Sequence, residues 1–329
     1  MDRLLEIINR FPDVKVGVMG DLILDHYLVC DVDRISQEAP VPIAKVQSEH
    51  YVLGGAANVA MNIRSLGGKA EVFGLIGMDQ NGDELIKLLD KGGIEYGLSF
   101  RASKRPTTTK TRLTAGGQQM ARIDKESDEP ISSEEEQRIM KRIPQFLDRV
   151  NVVVLSDYAK GLLSENLVRE TILLARERGI KVLSDPKPES YQKYKDSYLI
   201  KPNRKEAENI SRMRFSPDLS NMYEIVRSLR EKLNSNLVVS MGKDGMILAD
   251  SGEILRMPTM AREVYDVSGA GDTVMAALAL GISGGGDLKT ATLLANYAAG
   301  IAVGKTGTAA VSIQELLDSI HEKGVFSYV

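Results

Sequence analysis

The chain has 329 residues, 43% hydrophobic and 26% charged, enough for one large α/β domain or two smaller ones with a full core. A net charge of −3, 5% aromatic residues and no tryptophan argue against any surface built to wrap nucleic acid or an anionic membrane. Cys30 is the one cysteine, so an internal disulfide and a thiolate metal cage are excluded; no apolar run approaches the ~20 residues of a membrane span, and the expected compartment is the cytoplasm.

In chain order, MDRLLEIINR reads as a short amphipathic helix without the organisation of a secretion signal. The apolar runs VKVGVMG (14–20), AEVFGLIG (70–77), NVVVLSD (151–157), IKVLSD (180–185), SYLIKPN (197–203) and NLVVSMG (236–242) read as buried strands. Helical periodicity separates them, as in GAANVAMNIRSLGG, NGDELIKLLDKGG, SENLVRETILLARERG and LSNMYEIVRSLREKLN. Gly67, Gly92 and Gly179 are expected to end helices in the left-handed conformation. The alternation predicts an α/β fold with a mostly parallel sheet covered by helices on both faces. Residues 27–53 and 98–124 break this rhythm with Val- and Thr-rich runs and a TAGGQQ hairpin signal. They predict a small β-sheet lid inserted into a single domain spanning 1–329. A lid with no core of its own should cover a site or pair with a second copy, so a homodimer through the lid is expected.

Two nucleotide-binding patterns fail. No G-x-G-x-x-G follows the first strand, which runs instead into GDLILD. GIAVGKTG (300–307) has three residues between its glycines where a P-loop needs four, and it leaves a helix rather than a strand. DVSGAGDTVMAALALGI (266–282) is different. Gly269, Ala270 and Gly271 deliver backbone N–H groups to a helix N-terminus, an anion site, and Asp272 sits in the first turn beside it. An acid there suits proton abstraction from a hydroxyl that attacks phosphorus, or it simply caps the helix; the stretch alone leaves both open. Gly54 and Gly55 precede a helix carrying Asn58, and Asn203 and Glu206 lie at i, i+3 on another helix start. That second pair suits water-mediated contact with Mg²⁺ and phosphates, or an ordinary capped first turn.

A glycine pair with Asn, N-x-x-E in mid-chain and D-x-x-G-A-G-D near the C-terminus, in that order, resemble the ribokinase-like (PfkB) carbohydrate kinases over essentially the whole chain. Within that family, RISQEAPVPIAKV (34–46), GGAANVAMNIRSLGG (54–68), LSDYAKGLLS (155–164) and DPKPESYQKYKDSYLIKPNRKE (185–206) resemble the branch that phosphorylates D-glycero-D-manno-heptose 7-phosphate at its anomeric hydroxyl for ADP-heptose synthesis. Its bifunctional members continue into a nucleotidyltransferase with an H-x-G-H motif; this chain has none, so a stand-alone kinase is expected.

The resemblance implies a ribokinase-like fold and ATP with Mg²⁺ as partners of the reaction. It makes Asp272 the base and Gly269, Ala270 and Gly271 the anion hole. Asn203 and Glu206 would organise the metal and phosphate water, Ser240, Gly242 and Gly245 would lie near nucleotide phosphate and ribose, and Asn296 near adenine. Sugar contacts fall on Asp25, Asp21, Gly54, Gly55 and Asn58, and a monovalent cation such as K⁺ on Asp266 and Ser268. A sugar phosphate also needs cations, which Lys110, Arg112, Arg122, Lys160 and Lys187 would supply. The competing readings are a ribokinase-like kinase for a free sugar or nucleoside, and a non-catalytic sugar sensor of the same fold. Asp272, Asn203 and Glu206 occurring together argue against the sensor.

Overall fold

The computed structural model describes residues 2–261, 263–305, 307 and 310–323. In chain order its strands are β1 (Lys15–Gly20), β2 (Leu22–Asp31), β3 (Lys45–Gly55), β4 (Lys69–Phe73), β5 (Leu75–Gly77), β6 (Phe100–Ala102), β7 (Thr108–Ala115), β8 (Gln118–Lys125), β9 (Val152–Ser156), β10 (Lys181–Asp185), β11 (Leu199–Ile200), β12 (Asn236–Ser240), β13 (Met246–Ala249) and β14 (Ile254–Met257).

Among the described residues, eight strands form the main sheet in the order β14-β13-β12-β11-β10-β9-β1-β4. All its pairings are parallel except β12 with β13 and β13 with β14. The continuous apolar runs follow from burial on both faces. Val152 and Val154 enter one core while Val153 and Leu155 enter the other. The helices Ala56–Ser65, Ala270–Ser283 and Leu288–Ala302 cover the first face; Glu165–Glu177 and Met222–Leu233 cover the second.

The lid is a separate sheet in the order β3-β2-β7-β8. Its β7–β8 hairpin turns at Gly116 and Gly117, whose φ values of +56° and +78° give the doubly left-handed turn that TAGGQQ predicts. Val29, Val46 and Ile123 are exposed on this sheet.

Four expectations need correction. AEVFGLIG breaks at Gly74 into β4, in the main sheet, and β5, outside it. Residues 98–106 do not join the lid: β6 pairs with β5 in a sheet of its own. Gly92 is right-handed at the helix end, and the left-handed residue is Gly93, at φ +61°. SYLIKPN is a strand only over Leu199–Ile200, because Pro202 offers no amide to a ladder and Asn203 already caps the next helix.

A buried carboxylate braces the β1–β4 edge of the sheet. Glu71 on β4 has no exposed side-chain surface, and it pairs with Lys15 at 2.9 Å and Arg149 at 3.1 Å. Both cations also reach Glu95, at 2.8 and 2.9 Å. Removing both cations strands a charge in the interior, which costs about 3–5 kcal/mol. The double variant Lys15→Met/Arg149→Met should therefore lower the denaturant midpoint steeply. A midpoint like that of the parent would show that Glu71 is tolerated without partners.

Candidate active site

The parallel strands aim their carboxyl ends at one region, where ligand sites of open α/β sheets form. Asp21 follows β1, Asp157 to Lys160 follow β9, Asp185 closes β10, and Lys201 to Asn203 follow β11. The helix Ala270–Ser283 starts with Gly269 at φ +75° and carries Asp272 in its first turn.

Asp272 is 5% exposed, and both its oxygens are held. Asn58 Nδ2 donates to Oδ2 at 2.7 Å and the Tyr158 hydroxyl donates to Oδ1 at 2.8 Å. A second polar pair staples the same two helices one turn further on. Asn62 Oδ1 accepts from Thr273 Oγ1 at 2.8 Å, and Asn62 Nδ2 donates back to the Asn58 carbonyl at 2.9 Å. Burial raises the Asp272 pKa to about 6, against the two donors and Lys201 that lower it, with Asp185 adding to the rise. Burial and the Asp272 carboxylate push the Tyr158 hydroxyl well above its ordinary range, so it stays a protonated donor.

The glycine pair makes room for acids. A Cβ on Gly54 would lie 2.7 Å from Asp25 Oδ2, and one on Gly55, at φ +56°, would lie 2.5 Å from the Asp21 carbonyl oxygen. Asp25 is buried and accepts from Arg112 at 2.6 Å, and the Arg112 guanidinium also lies 5.2 Å from the Tyr27 ring centroid. Strand register puts Asp25, Lys110 and Asp124 in one row of the lid, and Tyr27, Arg112 and Arg122 in the next-but-one. These six side chains therefore share one lid face, while Lys125 and Glu49 stand on the other.

Sequence reasoning missed Tyr158, Asp185 and Lys201. Lys201 is 3% exposed and pairs with Asp185 at 3.0 Å. A Cβ on Gly271 would lie 3.3 Å from its ammonium, so the cation sits directly under the anion loop. Burial opposes its charge, yet Asp185 and Glu206 outweigh that and raise its pKa. The available signal was position: Lys201 directly follows the buried strand β11, and Tyr158 comes two residues after the end of β9.

Several of the expected site residues have protein partners of their own. Asp21, expected on the sugar, accepts the Tyr158 and Lys160 amides at 2.9 and 3.1 Å and so braces the loop after β9. Asn296, expected near adenine, is buried and donates to the Pro258 carbonyl at 2.7 Å. Asp266, expected on a cation, accepts the Ser268 and Gly307 amides at 2.8 and 3.0 Å, tying two loops together. Arg122 is half exposed and pairs with Asp124 on its own strand at 2.9 Å. Lys187 lies 5.1 Å from the Tyr158 ring centroid.

On the nucleotide side, Asn203 and Glu206 form a reciprocal capping box. Asn203 Oδ1 accepts the Glu206 amide at 2.9 Å, and Glu206 Oε2 accepts the Asn203 amide at 2.8 Å. Burial, with Asp185 nearby, raises the Glu206 pKa. Ser240 bonds through its amide to the Pro202 carbonyl at 3.0 Å. Gly242 and Gly245 turn the chain at φ +61° and +88°, and a Cβ on Gly245 would lie 2.0 Å from the Met257 carbonyl oxygen. Lys305, the lysine of the failed P-loop, pairs with Glu315 at 2.7 Å, while its neighbour Thr306 lies outside the described residues.

A profile described as pfkB family carbohydrate kinase matches residues 15–315. The chain belongs to the pfkB family. It is a carbohydrate kinase. Bifunctional protein HldE of Sulfurimonas denitrificans is 42% identical to this pfkB kinase over 315 residues, covering 95% of the chain and 65% of that protein. The Trichlorobacter lovleyi protein of the same name is 40% identical over 324 residues, covering 97% and 66%. The chain thus spans slightly less than two thirds of the length of these relatives. Escherichia coli phosphofructokinase-2 in complex with potassium superposes with a TM-score of 0.79 at 19% identity, covering 94% of this chain and 99% of that one. Arabidopsis thaliana ribokinase complexed with ribose and ATP gives 0.72 at 18% identity, covering 95% and 99%. The fold of this pfkB kinase is therefore ribokinase-like, and no helix among its described residues is long and apolar enough to cross a membrane.

Proposed function

We propose that this kinase moves the γ-phosphoryl group of ATP onto the anomeric hydroxyl of D-glycero-D-manno-heptose 7-phosphate, giving the 1,7-bisphosphate for ADP-heptose synthesis. The observation that carries the reading is one continuous site. The Asp272 carboxylate is held by Asn58 and Tyr158, and Lys160, two residues after Tyr158, shares Glu126 with Lys110 on the lid face that also bears Asp25 and Arg112. The similarity to HldE proteins supports the choice of acceptor.

In this mechanism Asp272 accepts the proton of the attacking hydroxyl as the oxygen bonds to phosphorus and the bond to the ADP oxygen breaks. The amides of Gly269, Ala270 and Gly271 and the Lys201 ammonium meet the negative charge on the transferred group. Asp25 accepts a sugar hydroxyl, and Arg112 and Lys160 face the 7-phosphate.

No three His, Cys, Asp or Glu side chains converge on a metal cage among the described residues. The oxygen donors Glu206 and Asp185 instead suit Mg²⁺ that keeps its waters and arrives with the nucleotide. Asn203 and Glu206 would hold those waters, and the ion supplies charge neutralisation on the phosphates. A monovalent cation beside Asp266 and Ser268 would share a loop whose carboxylate already orders two amides.

Charge-assisted contacts contribute about 1.5–3 kcal/mol each, so two of them favour a phosphorylated sugar over its free form by ~10²-fold or more. ADP release measured across heptose 7-phosphate, free heptose, fructose and ribose should show that preference in kcat/KM. Equal kcat/KM on fructose or ribose would overturn the assignment and leave a general sugar kinase.

A further inference from the structure

Glu126 lies just past the end of β8, where the lid returns to the main domain. Its Oε1 accepts from Lys160 at 2.7 Å and its Oε2 from Lys110 at 3.1 Å. The two ammonium groups come from different units, Lys110 from lid strand β7 and Lys160 from the loop after β9. All three side chains are largely shielded: the lysines are each 16% exposed and Glu126 is 26% exposed. One carboxylate bridging two lysines, one oxygen to each, makes the contacts that two oxygens of a phosphate monoester would make.

We propose that Glu126 is a built-in anion standing in the place of the acceptor's phosphate group, and that a sugar phosphate binds by displacing it from Lys110 and Lys160. The inference rests on the reading that the acceptor is phosphorylated. Both sides of the cluster are anchored through their backbones. Lys160 is fixed by its backbone, since its amide donates to Asp21 at 3.1 Å and its carbonyl accepts from Arg105. Glu126 begins a stretch, 126–132, with no helix or strand. Arg105 also holds that stretch, through the Ser127 and Glu129 carbonyls, so the exchange asks only the Glu126 side chain to turn away from the two cations.

Burial works against the Glu126 charge, but Lys160 and Lys110 outweigh it and hold its pKa below the ordinary range, so the stand-in is ionised at neutral pH. Exchange replaces one negative charge with nearly two on a phosphate dianion. Lys110 keeps Asp124 at 3.2 Å throughout. A neutral sugar brings no charge to displace Glu126, so the latch adds discrimination against unphosphorylated sugars as well as attraction for phosphorylated ones.

The test is calorimetric titration of inorganic phosphate into the full chain, with ADP saturating the nucleotide side. Glu126→Gln keeps the shape and removes the competing charge, so phosphate should bind ~10-fold tighter than to the parent. Adding Lys160→Met should abolish the gain. Affinity that is unchanged or weaker in Glu126→Gln, or a gain that survives Lys160→Met, would overturn the inference. The probe is phosphate itself, so tighter binding supports the latch even where heptose 7-phosphate fails as the acceptor; that failure would fall on the proposed substrate alone.

Discussion

Asp272→Asn should cut turnover by 10²–10⁴-fold, the range for a lost general base, while the chain folds and binds ATP normally. It should also make the protein more stable at neutral pH. The Asp272 pKa is raised to about 6 from 3.8, so the folded chain favours the protonated acid. As pH rises from about 3.8 to about 6, the unfolded chain has already lost this proton and the folded chain has not, so stability falls across that window. Above it the penalty is constant, about 3 kcal/mol for a shift of this size. An amide escapes the penalty, and thermal unfolding at pH 7 should report the gain. Activity runs the other way, because a base must be ionised. The parent's kcat should drop as pH falls through about 6, and that limb should vanish from the residual rate of the variant. Near-normal turnover in Asp272→Asn would remove this carboxylate from the mechanism.

The sheet was legible because its strands are buried on both faces. Val152 to Leu155 have no choice but apolar side chains, and such runs stand out between amphipathic helices. The lid was legible from its turn, since two left-handed residues in a row call for Gly116-Gly117. Residues 98–106 were harder. β6 is three residues long, and nothing local distinguishes pairing with β5 from pairing with the lid.

At the site, the anion loop and Asp272 could be read because backbone conformation constrains composition. Gly269 needs a positive φ, and the amides beyond it need an uncrowded approach. Direction of side chains could not be read. Asp21 and Asp25 are four residues apart, one between β1 and β2 and the other within lid strand β2; the first turns to backbone amides and the second to Arg112. Asn296 and Asp266 likewise serve the backbone of neighbouring loops, a use that depends on tertiary neighbours alone. Lys201 passed unnoticed because a lysine in K-P-N looks like a solvated charge until its burial and its pairing with Asp185 are seen.

That lysine carries the second large expected effect. Lys201→Met should lower kcat by ~10²–10³-fold, the loss typical of a missing donor at a site of developing negative charge. Its ammonium stands under Gly271, and it is the cation that lowers the Asp272 pKa and balances Asp185 and Glu206. Methionine fills a similar volume but removes the positive charge that Asp185, Glu206 and Asp272 each feel. Asp272 then holds its proton to higher pH, so the acid limb of the kcat profile should move upward from about 6. This separates Lys201 from a residue that only packs: loss of packing lowers the unfolding midpoint without moving the limb. Lys201→Arg should not rescue turnover, because the larger guanidinium must fit where the Gly271 backbone already lies close. A pH–rate profile of Lys201→Met with an unshifted limb and parental kcat would show that this buried cation serves the fold and not the phosphoryl transfer.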